Sequence, residues 1–226
     1  MMDGFLLVDK PAGWTSHDVV AKVRRILSKR VGKKVKVGHA GTLDPMATGL
    51  LIILVGGYTK RASVFLKLDK TYECELTLGE ISTTGDADGV IRTQDTGNRT
   101  QPAREEVEKI IKGFIGTIKQ VPPAYSAIKI KGQAAYKLAR AGQQLKMEPR
   151  IVTIYDLRST KYEYPKLYFT ARVSSGTYIR SLAQDVGAKL GTGAYLSALR
   201  RTKIDQFDIK DSYTLDKIAK ALPEHL

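Results

Sequence analysis

Cysteine is nearly absent from the 226-residue chain. Cys74 stands alone, which excludes an intrachain disulfide and any multi-cysteine zinc site and suits a reducing compartment. Histidine is almost as scarce: His17, His39 and His225 with one cysteine form no transition-metal cluster. Long apolar runs are missing too. The most hydrophobic stretch, Leu50 to Val55, falls far short of the ~20 residues of a membrane span. Met1 to Lys10 carries no small-residue cleavage pattern, so a soluble, cytoplasmic protein is expected. There is no Gly-x-x-x-x-Gly-Lys-Ser/Thr element, and no Gly-x-Gly-x-x-Gly although Gly187, Gly191 and Gly193 lie close together. A reaction without cofactor or metal is the expectation. Acidic residues are the last shortage: 23 Asp+Glu against 37 Lys+Arg leave a net charge of +14. That balance points to a polyanion, most often nucleic acid and less often an anionic membrane.

What is present is ordinary globular material, 42% hydrophobic and 27% charged, enough for one large or two small domains. Gly4 to Val8 reads as a strand and Asp9 to Gly13 as a turn-rich break. Ser16 is a plausible N-cap for a helix to about Arg30, with Val19, Val20, Val23, Ile26 and Leu27 on one face. From Lys22 to Lys36 there are eight basic residues and no acidic one, either a solvated face or a phosphate-contacting edge. Leu50 to Val55 is apolar on both sides, as in a buried central strand. Lys70 to Leu78 alternates, with Tyr72, Cys74, Leu76 and Leu78 on one face. Gly85 to Gly89 reads as a loop and Pro102 to Gly113 as a helix. Tyr125 to Pro149 interleaves Lys129, Lys131, Lys137, Arg140 and Lys146 with Tyr125 and Tyr136, a composition suited to RNA. Strands at Ile151–Leu157, Lys166–Val173 and Ala194–Leu199, a helix from Thr177 to Leu190 and a terminal helix through Leu215, Ile218, Ala219 and Leu222 complete an α+β pattern.

The densest constellation is Gly38-His39-Ala40-Gly41-Thr42-Leu43-Asp44-Pro45-Met46-Ala47-Thr48-Gly49. Gly38 and Gly41 permit close backbone approach or positive φ, and Pro45 restrains Asp44 to an extended conformation. Asp44 is then either a carboxylate held at the rim of a buried strand or the cap of a turn, and composition alone favours the turn slightly.

This segment resembles the catalytic motif of the TruB family of tRNA pseudouridine synthases. So does Lys10-Pro11-Ala12-Gly13-Trp14-Thr15-Ser16 before it. Lys70-Thr71-Tyr72-Glu73 resembles the family's tyrosine motif and Ser175-Gly176-Thr177-Tyr178-Ile179-Arg180-Ser181-Leu182-Ala183 its arginine motif. Gly193-Ala194-Tyr195-Leu196 and Leu199-Arg200-Arg201-Thr202 match the element that follows. The blocks stand in family order from about Gly4 to Phe207.

The resemblance implies a pseudouridine synthase fold: a central mixed, mainly antiparallel sheet flanked by helices, with a basic RNA-binding insertion at 125–149. It implies a catalytic domain over 1–210; the family commonly carries a C-terminal PUA domain as well, and the chain departs from that pattern, with a helical tail over 211–226 and no PUA domain expected. It further implies a monomer that needs no cofactor, binds the T-arm of tRNA, and flips a uridine out to isomerise it. Asp44 matches the indispensable carboxylate and Arg180 the arginine that pairs with it. Tyr72 matches the tyrosine that stacks on the flipped base, and His39 a histidine beside the extruded nucleotide. Tyr178 and Leu199 match residues lining the uracil pocket. Each has a plain structural alternative: a surface arginine at Arg180, core packing at Tyr72, Tyr178 and Leu199, a structural histidine at His39. The insertion resembles a lid that closes on RNA, and Arg200-Arg201 joins it and Lys22–Lys36 as expected phosphate-binding charge. One local departure stands out, Asp205-Gln206 where the family often has a glycine before the aromatic at Phe207. A non-catalytic RNA-binding or tRNA-remodelling module is the competing class. Glycoside hydrolysis ranks low, because the motif offers no second carboxylate.

Overall fold

A computed structural model describes residues 3–95, 97, 101–130 and 132–221. Leu222, Lys131 and His225 lie outside them. The chain forms two compact units, Met1–Glu73 with Leu199–Leu226, and Cys74–Ala198.

The first unit begins with β1 (Gly4–Lys10), α1 (Ser16–Val31), β2 (Val37–Ala40), β3 (Thr48–Val55), α2 (Ala62–Leu66) and the start of β4 (Lys70–Leu78). β3 is its axis. β1 pairs antiparallel along all of it from Gly4↔Val55 to Lys10↔Gly49, and β2 pairs antiparallel with its second half. The apolar run expected to be buried on both sides is buried on both sides. Leu51, Ile53 and Val55 face a cluster with Val19, Val20, Val23 and Leu27 of α1, while Leu50, Ile52 and Leu54 face Phe65 of α2. Seven consecutive buried residues, Gly49 to Val55, leave β3 without a solvent face, so its register is fixed twice over.

Thr15, not Ser16, caps α1. The Thr15 hydroxyl accepts from the Asp18 amide (3.1 Å) and Asp18 Oδ2 accepts from the Thr15 amide (2.8 Å), a reciprocal capping box. β1 also runs two residues further than the sequence suggests, so Asp9 and Lys10 belong to the strand and the turn is confined to Pro11–Gly13.

The second unit holds the rest of β4, a hairpin of β5 (Glu80–Ser82) and β6 (Ile91–Thr93), α3 (Arg104–Lys112), β7 (Gly116–Gln120), and the insertion with β8 (Lys129–Ile130), β9 (Gln133–Ala134) and α4 (Ala135–Arg140). β10 (Arg150–Glu163), β11 (Lys166–Val173), α5 (Ile179–Leu190) and the start of β12 (Ala194–Ile204) follow. Its strands lie in the order β4-β11-β10-β7, with β10 antiparallel to both neighbours. Helices α3 and α5 bury Val107, Ile111, Leu182, Ala183, Val186 and Leu190. The left-handed Gly191 ends α5.

The chain then returns to the first unit. β12 runs parallel to β3 (Arg200↔Thr48, Arg201↔Gly49) and turns back into β13 (Phe207–Asp208); β14 (Tyr213–Thr214) pairs parallel with β1, and α6 (Ile218–Ala221) follows. At the two-residue turn between Ile204 and Phe207, Asp205 has φ of 51°. Aspartate tolerates this left-handed conformation, which explains how the turn forms without the glycine common there.

Candidate active site

The Asp44 loop leaves β2 at Ala40 and enters β3 at Thr48. Three buried polar side chains grip its backbone. Lys10 at the end of β1 reaches the Pro45 carbonyl (3.3 Å) as well as those of Trp14 (2.6 Å) and Pro11 (3.0 Å). The Ser16 hydroxyl, free of capping duty, donates to the Leu43 carbonyl (3.1 Å) and accepts from the Leu43 amide (2.9 Å). Arg201 of β12 donates from Nη2 to the Gly41 carbonyl (2.9 Å) and from Nε to the Leu50 carbonyl (2.7 Å), so one guanidinium ties both ends of the loop. Lys10, Ser16 and Arg201 are each at least 98% buried. Buried cations on neutral carbonyls are costly unless geometry repays them, and here the return is a fixed loop.

The glycines complete that geometry. Gly41 and Gly49 have φ of 91° and 106°. A Cβ at Gly49 would overlap the Arg201 backbone, 2.7 Å from its amide nitrogen. Only glycine lets β12 lie this close to the base of the loop. Asp44 itself is half-buried, and its carbonyl accepts from the Ala47 amide (3.1 Å).

His39 on β2 packs edge-on against His17 (5.5 Å between ring centroids), and its buried Nδ1 has no hydrogen-bond partner among the described residues. Burial, with the nearby positive charges of His17 and Arg201, pushes its pKa down to about 4, so the ring is neutral at pH 7. Tyr72 on β4 is buried. Leu199 on β12 is half-buried, and its carbonyl accepts from Thr48 Oγ1 (3.4 Å), while Thr202 Oγ1 donates to the Thr71 carbonyl (3.4 Å). The Leu199–Thr202 segment of β12 therefore links the end of the Asp44 loop to the strand bearing Tyr72.

In the second unit, Tyr178 and Arg180 stand together at the start of α5. Gln120 clamps the Tyr178 backbone at both ends, accepting from its amide (2.8 Å) and donating to its carbonyl (3.1 Å). Arg180 is buried, so it is not a plain surface arginine. It donates to the carbonyls of Thr84 (3.1 Å) and Tyr125 (2.7 Å) and forms an ion pair with Asp86 (3.4 Å). Asp86 is only 3% exposed, and its carboxylate also accepts from Thr84 Oγ1 (2.5 Å) and the Asp88 amide (3.1 Å). The sequence of this stretch reads as a plain loop, and its Asp-Gly composition carries no sign of a buried carboxylate.

One expectation fails. Arg200 and Arg201 do not present a pair of charges to a polyanion. Strand alternation sends Arg201 inward, and Arg200 is engaged bidentately by Asp9 (2.7 and 3.2 Å). Among the described residues no group of three or more His, Cys, Asp or Glu could hold a metal ion, and no helix is long and apolar enough to cross a membrane.

A family model described as TruB family pseudouridylate synthase (N terminal domain) matches residues 24–179, and one described as tRNA pseudouridylate synthase B C-terminal domain matches 180–225. A protein named tRNA pseudouridine synthase B from Opitutus terrae is 45% identical over 99% of this chain and 90% of its own length. One of the same name from Nitrosospira multiformis is 46% identical over 98% of this chain and 70% of its own. Among solved structures, a chain of a Cbf5-Nop10-Gar1 complex superposes with a TM-score of 0.72 at 29% identity, covering 96% of this chain and 54% of that one. A chain of an H/ACA RNP bound to a substrate RNA containing 2′-deoxyuridine gives 0.69 at 27% identity, covering 96% and 52%. The chain spans about half the length of those solved chains.

Proposed function

The chain belongs to the TruB family of pseudouridylate synthases, and we propose that it isomerises a uridine in the T-loop of tRNA to pseudouridine, with Asp44 as the essential carboxylate. The base N1–C1′ bond breaks, the base turns, C5 bonds to C1′, and the C5 proton leaves as N1 gains one. Nothing is consumed, so the chemistry calls for one ionised carboxylate in a fixed position rather than a cofactor.

The observation that carries this reading is the grip on the Asp44 loop. A turn cap needs no support from Lys10, Ser16 and Arg201; a catalytic carboxylate does, because a group already in place at the transition state costs no reorganisation. The remaining roles follow the family match. In the first unit Tyr72 stacks on the flipped base, Leu199 packs on the uracil and neutral His39 offers an unused ring nitrogen to the extruded nucleotide; in the second unit Tyr178 and Arg180 take the substrate-binding roles that the family match gives them. The protein acts on tRNA as a cytoplasmic monomer, and the insertion at 125–149 closes over the T-arm.

A T-arm RNA hairpin tritiated at uridine C5 tests the proposal. Wild type is expected to release tritium, and Asp44→Asn to bind the hairpin without release. Binding without release by the wild type at micromolar enzyme would overturn the reading and favour a non-catalytic RNA-binding module.

A further inference from the structure

Helix α1 and the turn after it carry more positive charge than the proposed chemistry uses. Lys22, Arg25, Lys29, Arg30, Lys33, Lys34 and Lys36 are all exposed, and Arg24 alone turns inward, to the Val37 carbonyl (3.1 Å). Among the described residues, Lys22, Arg25, Lys29, Lys33, Lys34 and Lys36 have no carboxylate within ion-pair distance. Some cations of the same unit are compensated: Arg200 holds Asp9 (2.7 Å) and Lys203 holds Asp208 (3.1 Å). Leaving so many like charges together and unpaired opposes folding, and it is tolerated where a polyanion settles on them.

Their placement is regular. Val19, Val20, Val23 and Leu27 anchor one face of α1 in the core, and Lys22, Arg25 and Lys29, spaced by three and four residues, form a row on the solvent face. The left-handed Gly32 ends the helix, and Lys33, Lys34 and Lys36 follow it closely, all exposed. At the near end the Lys22 ammonium lies 5.9 Å from the centre of the Trp14 ring.

The helix also has a fixed origin. Ser16, its first residue, is tied to Leu43 beside Asp44. At 1.5 Å per residue, Lys22 stands about 9 Å along the axis from that anchor and Lys29 about 20 Å. One flipped nucleotide cannot extend so far, but the backbone of the RNA that carries it can. Resting on the proposed function, we infer that the exposed face of α1 and the turn after it form a phosphate track for the part of the tRNA outside the T-arm.

Two assays test this with the full chain. Binding of full-length tRNA and of the isolated T-arm hairpin is measured by fluorescence anisotropy across a salt series, and tritium release is followed on both RNAs. The variant is the triple substitution Lys22→Gln, Arg25→Gln, Lys29→Gln, whose glutamines keep helix propensity, with folding checked by circular dichroism. Full-length tRNA is expected to bind the variant at least about tenfold more weakly near 0.1 M salt, with a log–log salt slope shallower by about 2 to 3 for three lost phosphate contacts. Hairpin affinity, and kcat on either RNA at saturation, should change less than about twofold. Unchanged affinity for full-length tRNA, or an equal loss on tRNA and hairpin, overturns the inference. Absence of tritium release by the wild type would instead count against the catalytic reading, leaving the binding comparison intact.

Discussion

Replacing Arg201 with methionine tests whether the Asp44 loop is held or merely present. Methionine keeps most of the side-chain volume but removes both bonds that tie the loop, to Gly41 (2.9 Å) and Leu50 (2.7 Å). Hydrogen bonds from a charged donor contribute about 1.5–3 kcal/mol each, so about 3–6 kcal/mol is lost in the gross balance. Part returns, because methionine no longer carries a guanidinium that is 1% exposed. A net cost near 3 kcal/mol corresponds to a fall in Tm of about 6–12 °C for a chain of this size. The loop should also loosen, lowering kcat for tritium release at least about tenfold, since small displacements of a catalytic group cost rate steeply. RNA affinity should stay near wild type, because this arginine is inside the protein. Arg201→Lys, which keeps the charge but cannot fork to both carbonyls, should fall between. Differential scanning calorimetry and single-turnover release provide the measurements. An Arg201→Met protein with wild-type Tm and kcat would refute the idea that this arginine organises the loop.

Two further outcomes follow from the same neighbourhood. Gly49→Ala places a methyl against the Arg201 backbone at φ of 106° and should cost at least about 3 kcal/mol, or abolish soluble expression; wild-type stability would show that β12 can retreat from β3. His39, with its folded pKa lowered to about 4 from 6.5, resists protonation when folded, so its contribution is fully present above pH 6.5 and is lost as pH falls towards 4. At 1.36 kcal/mol per unit that is at most about 3 kcal/mol; denaturant titrations of wild type and His39→Asn should show the wild type losing more stability between pH 7 and 5, and parallel curves would contradict it.

Much of the fold was legible because its elements bury whole faces. The run Leu50–Val55 could only be a strand covered on both sides, and the spacing of Val19, Val20, Val23 and Leu27 predicted the buried side of α1. Legibility failed where two residues could do the same local work. Thr15 and Ser16 are both good caps, and the deciding signal was Asp18, which completes a box with Thr15 and not with Ser16. β7 leaves little signal in the sequence, because Gly116–Gln120 is short and buries fully only Gln120. β10 runs six residues past the expected end at Leu157, to Glu163, through irregular pairing with β11 that its sequence does not mark.

For the site, the position of Asp44 could be read from its motif, but not what holds it. Lys10, Arg201 and Arg180 look like surface charge in a chain of net charge +14, and all three are buried on backbone carbonyls. Strand period could have separated Arg200 from Arg201, since neighbours on β12 face opposite ways; nothing in the local sequence marks Asp86 as the buried carboxylate beside Arg180. The net charge is therefore a poor count of what meets RNA. Cations that organise the site are withdrawn from solvent, cations such as Arg200 and Lys166 are neutralised by Asp9 and Glu75, and the exposed row on α1 is neither. Salt dependence of tRNA binding should follow that exposed, uncompensated class, which is why substitution on α1 and substitution at Arg201 should separate affinity from turnover.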